Sequence, residues 1–64
     1  MSKLPDIMRE VRFRNRLSQR ALGEIMTVSA PYICNIEKGK ETPSAMFIKL
    51  FCLLYNVNPD ELSV

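Results

Sequence analysis

At 64 residues the chain has room for one domain around a small core, hiding only about 60% of its unfolded surface, and no second, ligand-sensing domain fits beside it. There is no histidine to support a metal site and no apolar run of membrane-spanning length, and Pro5 and Asp6 interrupt Leu4 and Ile7 where a secretory leader would stay apolar. The net charge of +2 conceals an asymmetry: residues 1–20 hold six of the nine Lys and Arg against two acids, and residues 21–64 hold three against five. Such a gradient fits either a chain that presents one end to phosphates or a first helix with a solvated basic face.

Taken in chain order, Leu4, Ile7, Met8 and Val11 recur at helical spacing and predict a first helix from about Asp6 to Asn15, with Arg9, Arg14 and Arg16 largely outside. Ser18 suits an N-cap, and Leu17 and Leu22 on either side of it can form a hydrophobic staple, so helix 2 starts there. Ser29 repeats the device with Val28 and Ile33, and Pro31, which lacks an amide hydrogen, falls in the first turn of helix 3, where none is needed. Gly39 after Lys38 is a plausible left-handed C-terminal cap, leaving helix 3 about nine residues. Leu22, Met26, Val28, Ile33 and Ile36 fall where two steeply crossing helices would share a core, and Gly23 allows their backbones to approach closely. Pro31, Asn35 and Lys38 then point the other way, flanked by Ala30, Tyr32 and Cys34.

Thr42 as cap and Pro43 as first residue predict a fourth helix to about Tyr55, and Asn58-Pro59 a short fifth one, giving five helices and no strand. Helix 4 is apolar on both sides. Ile48, Phe51, Cys52 and Tyr55 form one face, Met46, Leu50 and Leu53 the opposite one, with Phe47 and Leu54 between, and Lys49 is its only charge. A domain this small cannot bury both faces internally, so the outer one reads as an association surface. The alternatives are a looser helix 4 tucked under its neighbours, or a patch for a different protein.

Residues 18–38 thus form two short capped helices joined by a tight turn, and from about residue 4 to 62 the chain resembles the lambda-repressor-like family, the Cro and xenobiotic-response-element type of helix-turn-helix regulator. The resemblance is carried by Leu17-Ser18-Gln19, Val28-Ser29 followed by Tyr32-Ile33, Ile36-Glu37-Lys38-Gly39-Lys40, Thr42-Pro43-Ser44 and Val57-Asn58-Pro59-Asp60-Glu61-Leu62, in this order and spacing. It departs from the family at Thr27, where the turn usually has glycine; a β-branched residue resists positive φ, so the turn either differs or is strained.

The resemblance implies a compact five-helix, all-α domain over residues 1–64, binding double-stranded DNA sequence-specifically as a transcriptional regulator of the repressor type. It implies an ion pair between Arg12 and Glu37, in preference to two separate solvated charges; a guanidinium fork suits a partly buried carboxylate. It places base reading on Ala30, Pro31 and Asn35 with Tyr32 beside them, and phosphate contacts on Gln19, Ser29, Lys38 and Lys40. Of these, Asn35 can pair with adenine, whereas Ala30 and Pro31 offer only apolar contact, such as with a thymine methyl. Tyr32 has packing against helix 2 as its alternative, and Asn35 an ordinary exposed position. A homodimer through helices 4 and 5, using Met46, Phe47, Leu50, Leu53 and Leu54, would set two recognition helices in successive major grooves of an inverted repeat.

An enzyme is the weakest rival: there is no histidine, no Gly-rich phosphate loop, and no base beside either cysteine in sequence. Cys34 and Cys52 lie on different predicted helices and read as free, packed thiols in a reducing cytoplasm. No cofactor, metal, membrane or small-molecule partner is expected, and a bacterial, phage or plasmid origin is. A protein-interaction module with the same fold, such as an antitoxin or anti-repressor, remains the alternative function, because helix 4 is so apolar and the reading face so poor in donors.

Overall fold

The computed structural model describes residues 3–62, and among these it has four α-helices and no strand: α1 (Leu4–Arg14), α2 (Gln19–Met26), α3 (Ala30–Glu37) and α4 (Ala45–Tyr55). The all-α expectation holds, but the fifth helix does not. Pro59–Leu62 forms a single 3-10 turn, in which the Asn58 carbonyl accepts from the Glu61 amide at 2.9 Å and the Asn58 side chain accepts from the Asp60 amide at 3.0 Å. Leu62 is buried and fastens the turn, and its carbonyl accepts from the Lys3 amide at 2.8 Å, joining the two ends of the domain.

Serine opens three of the four helices. Ser18, Ser29 and Ser44 have extended backbones, and their hydroxyls accept from the Ala21, Tyr32 and Phe47 amides at 2.9, 3.2 and 3.1 Å. The cap of α4 is therefore Ser44, not Thr42, and Pro43 lies buried in the preceding loop rather than in the first turn. Helix α1 starts two residues earlier than predicted, with Pro5 in its first turn and Leu4 already in the core.

All four helices end in the same way, on a left-handed residue whose successor bonds back across the last turn: Leu17 N–H to Arg12 at 2.9 Å, Val28 to Gly23 at 2.8 Å, Lys40 to Asn35 at 2.9 Å and Val57 to Cys52 at 3.0 Å. The left-handed residues are Arg16, Thr27, Gly39 and Asn56, with φ of 56°, 62°, 76° and 55°. Gly39 does what its sequence position suggests. Thr27 answers the question raised by the missing glycine: its backbone is left-handed, so a β-branched residue sits in that region at a cost of roughly 1–2 kcal/mol.

The core comprises Leu4, Met8 and Val11 of α1, Leu22 and Met26 of α2, Ile33 and Ile36 of α3, Phe47, Phe51 and Cys52 of α4, and Leu62, with Val28 packed against it. Helices α2 and α3 approach so closely that a Cβ on Gly23 would lie 2.7 Å from the Val28 carbonyl oxygen, so no larger residue fits without moving the turn.

Candidate nucleic-acid interface

Helix α3 is held by an ion-pair hub on its inner side. Glu37, only 4% exposed, accepts from Arg12 through both carboxylate oxygens, Nε to Oε2 at 2.8 Å and NH2 to Oε1 at 2.9 Å. The remaining Arg12 nitrogen donates to the Leu17 carbonyl at 3.1 Å, and the guanidinium stacks over Phe13 at 4.6 Å. Hydrogen bonding to Glu37 raises the Arg12 pKa against the opposing effect of burial. One fork thus ties α1, the α1–α2 loop and the end of α3 together.

Two further side chains converge on Glu37, one on its carboxylate and one on its backbone carbonyl. Gln19 Nε2 donates to Glu37 Oε1 at 3.3 Å. Arg9, expected largely outside, is instead part-buried and donates to the Glu37 carbonyl at 2.7 Å, supplying a cation and a donor to the carbonyl end of α3. Sequence spacing could not reveal Arg9's role, because its partner is 28 residues away on another helix.

The outer side of α3 is open. Pro31, Lys38 and Lys40 are exposed, Ala30, Cys34 and Asn35 are partly so, and the Asn35 side-chain amide has no hydrogen-bond partner among the described residues. Ala30, Pro31, Cys34 and Asn35 line a shallow depression whose far wall is Gln19. Tyr32 is placed differently: its ring meets Phe47 of α4 edge-on, with centroids 5.9 Å apart, and it shares the lining of one depression with Met26 of α2. Ser29 spends its hydroxyl on the helix cap, while Gln19 is held by Glu37.

Four of the five arginines of the N-terminal third stand within ion-pair distance of a carboxylate, two of them in exposed pairs on the helix surface. Arg9 pairs with Asp6 and Glu37, Arg12 with Glu37, Arg14 with Glu10 at 2.6 Å, and Arg20 with Glu24 at 3.5 Å. Arg16 has no carboxylate partner among the described residues, and it stands in the loop that Arg12 draws to the end of α3. Sequence reasoning passed over it as one arginine among five.

Residues 6–64 match the family profile described as a helix-turn-helix domain. The chain belongs to that family. No curated protein and no solved structure matches it. Membership points to DNA binding and agrees with the lambda-repressor-like character of the sequence; domains of this family are typically not enzymes. No helix among the described residues is long and apolar enough to cross a membrane.

In this helix-turn-helix domain α2 and α3 are the paired helices, and α3 keeps its outer side exposed. The same structure leaves part of α4 uncovered. Met46 is 75% exposed, Leu53 72%, Leu54 50% and Leu50 41%, a contrast with Phe47, which is buried in the core and drops out of the expected association surface. The two cysteines are free thiols, Cys52 buried and Cys34 partly exposed; burial pushes the Cys52 thiol above its ordinary value.

Proposed function

We propose that this helix-turn-helix protein is a sequence-specific regulator of transcription that places α3 in the major groove and represses by occupying its operator. The observation that carries the reading is the asymmetry of α3: its inner side is locked by Glu37 and the core, while its outer side offers an unpaired Asn35 amide and exposed Pro31 and Lys38. A pre-positioned helix loses little freedom on binding, which favours this surface for recognition. Asn35 reads adenine; Ala30 and Pro31 make apolar contacts; Lys38, Lys40 and Arg16 face phosphates, with the amides at the starts of α2 and α3, at Gln19 and Ser29, as further anchors. Tyr32, engaged with Phe47, serves mainly to seat α3 on α4.

The exposed Met46, Leu50, Leu53 and Leu54 support a twofold dimer through α4 and the C-terminal turn, which would present two α3 helices to an inverted repeat. Successive major grooves lie about 34 Å apart, so each α3 would sit about 17 Å from the axis. That offset fits inside a molecule measuring 27 × 24 × 20 Å. The same apolar residues favour a second reading, an antitoxin or anti-repressor that binds protein through α4 and uses the DNA side little. Titration onto random duplex at low and moderate salt separates the two: the regulator loses affinity steeply as salt rises, whereas a module with no DNA affinity at low salt refutes the proposal.

A further inference from the structure

We propose that the depression lined by Gln19, Ala30, Pro31, Cys34 and Asn35 is a receptor for the 5-methyl group of a pyrimidine, with Cys34 as a specificity-determining residue. The inference rests on the DNA-binding reading and names what α3 selects. Ala30, Pro31 and Cys34 stand at positions i, i+1 and i+4 of one helix, so their side chains share one flank of it, and none is a strong hydrogen-bond donor. No cation lines the hollow, which argues against a phosphate as its occupant. Two of the walls are held: Gln19 lies 3.3 Å from Glu37, and Ala30 and Pro31 belong to a turn capped by Ser29; Cys34 adds a free, partly exposed thiol.

The major groove offers one apolar protrusion, the thymine methyl, beside donors and acceptors that a carboxamide can read. An apolar hollow bordered by the unpaired Asn35 amide matches that pairing: Asn35 takes adenine N6 and N7 while the hollow takes the methyl of a neighbouring thymine. The polarizable Cys34 sulfur gives the methyl a soft contact that a hydroxyl would not. Because the hollow recognises a methyl group rather than thymine as such, 5-methylcytosine at the same position would fill it as well.

The test starts from duplexes selected by the protein out of random sequence. Thymines in the preferred half-site are replaced one at a time by deoxyuridine, and each duplex is titrated with the wild type, Cys34→Ser and Cys34→Ala, folding being checked by circular dichroism. One position should lower wild-type affinity about 4-fold, the value of one buried methyl, and that penalty should fall below about 2-fold in the Cys34 variants. At that position cytosine should bind worse than 5-methylcytosine. A sequence preference indifferent to every deoxyuridine overturns the methyl receptor and leaves the DNA-binding reading standing; an undiminished penalty in both variants overturns the assignment to Cys34; absence of any preferred duplex overturns both readings.

Discussion

Removing the Glu37 carboxylate should cost this domain a large part of its stability. In Glu37→Gln the Arg12 guanidinium, whose side chain is only 10% exposed, keeps its bond to the Leu17 carbonyl and loses its counter-charge. Breaking a buried pair by deleting one partner costs about 3–5 kcal/mol, more than the pair's net worth, because the surviving charge stays desolvated. A chain of this length is expected to be stable by only about 3–10 kcal/mol, so the variant should be partly unfolded or close to it. Arg9 cannot compensate: its Nε is 3.8 Å from Glu37 Oε1, and its short bond goes to the backbone carbonyl. Replacing both partners, as Arg12→Met with Glu37→Met, removes the stranded charge and should come within about 1–2 kcal/mol of wild type. Urea unfolding followed by far-UV circular dichroism on wild type, Glu37→Gln, Arg12→Met, Glu37→Met and the Arg12→Met, Glu37→Met double gives the coupling directly. A Glu37→Gln cost under about 1 kcal/mol, or single-variant losses that simply add, would refute the account of the hub.

Thr27→Gly should stabilise the fold by about 0.5–1 kcal/mol, since relief of left-handed strain exceeds the extra freedom glycine gives the unfolded chain; a lower thermal midpoint would contradict it. Asn35→Ala should cost about 1–3 kcal/mol on the preferred duplex only, whereas Lys38→Ala should weaken all duplexes alike and reduce the salt slope by roughly one; equal effects would undo the division of roles. Leu50→Lys should keep the helical content and abolish dimers in sedimentation while weakening operator binding, and a monomer that binds equally well would sink the dimer proposal. Cys34 should be alkylated in the folded protein while Cys52 reacts only on unfolding. Since the buried Cys52 thiol keeps its proton above the ordinary value of 9.0, its contribution is fully present below that pH, and stability should decline as pH rises past it.

The legible parts of this molecule are those in which one residue answers a local backbone need. Ser18, Ser29 and Gly39 act where the sequence placed them, because a cap is decided within three or four positions. The start of α4 was misread for the same local reason: Thr42-Pro43 and Ser44 are competing signals, and the burial of Pro43, a tertiary matter, decides for Ser44. The fifth helix failed because four residues ending on a buried Leu62 admit one turn only. Arg12 and Glu37 were legible through the resemblance. Arg9 was not, since a charge on a helix surface gives no sign of a carbonyl arriving from another helix. Met46, Leu50, Leu53 and Leu54 of α4 are exposed, as their wheel positions indicate, but Phe47, judged from its wheel position between the faces, belongs inside.

The distribution of charge links the hub to the proposed dimer. Arg9 and Arg12 are drawn to Glu37, and Arg14 and Arg20 stand in solvent-exposed i,i+4 pairs, so Arg16 is the arginine of the N-terminal third with no carboxylate partner among the described residues. With Lys38 and Lys40, a single copy offers about three cations near α3, and the salt slope follows at roughly 0.9 per phosphate neutralised. Three phosphate contacts and one paired base contact make for weak, poorly selective binding by one copy. Two copies on a common axis double both the ionic and the base-reading terms while the second recognition helix is delivered already oriented, so joining them adds their contacts without a second full loss of rotational and translational freedom. On the proposed dimer, the few donors of α3 and the exposed leucines of α4 would be one design: α3 could be sparing because the second copy supplies what it lacks.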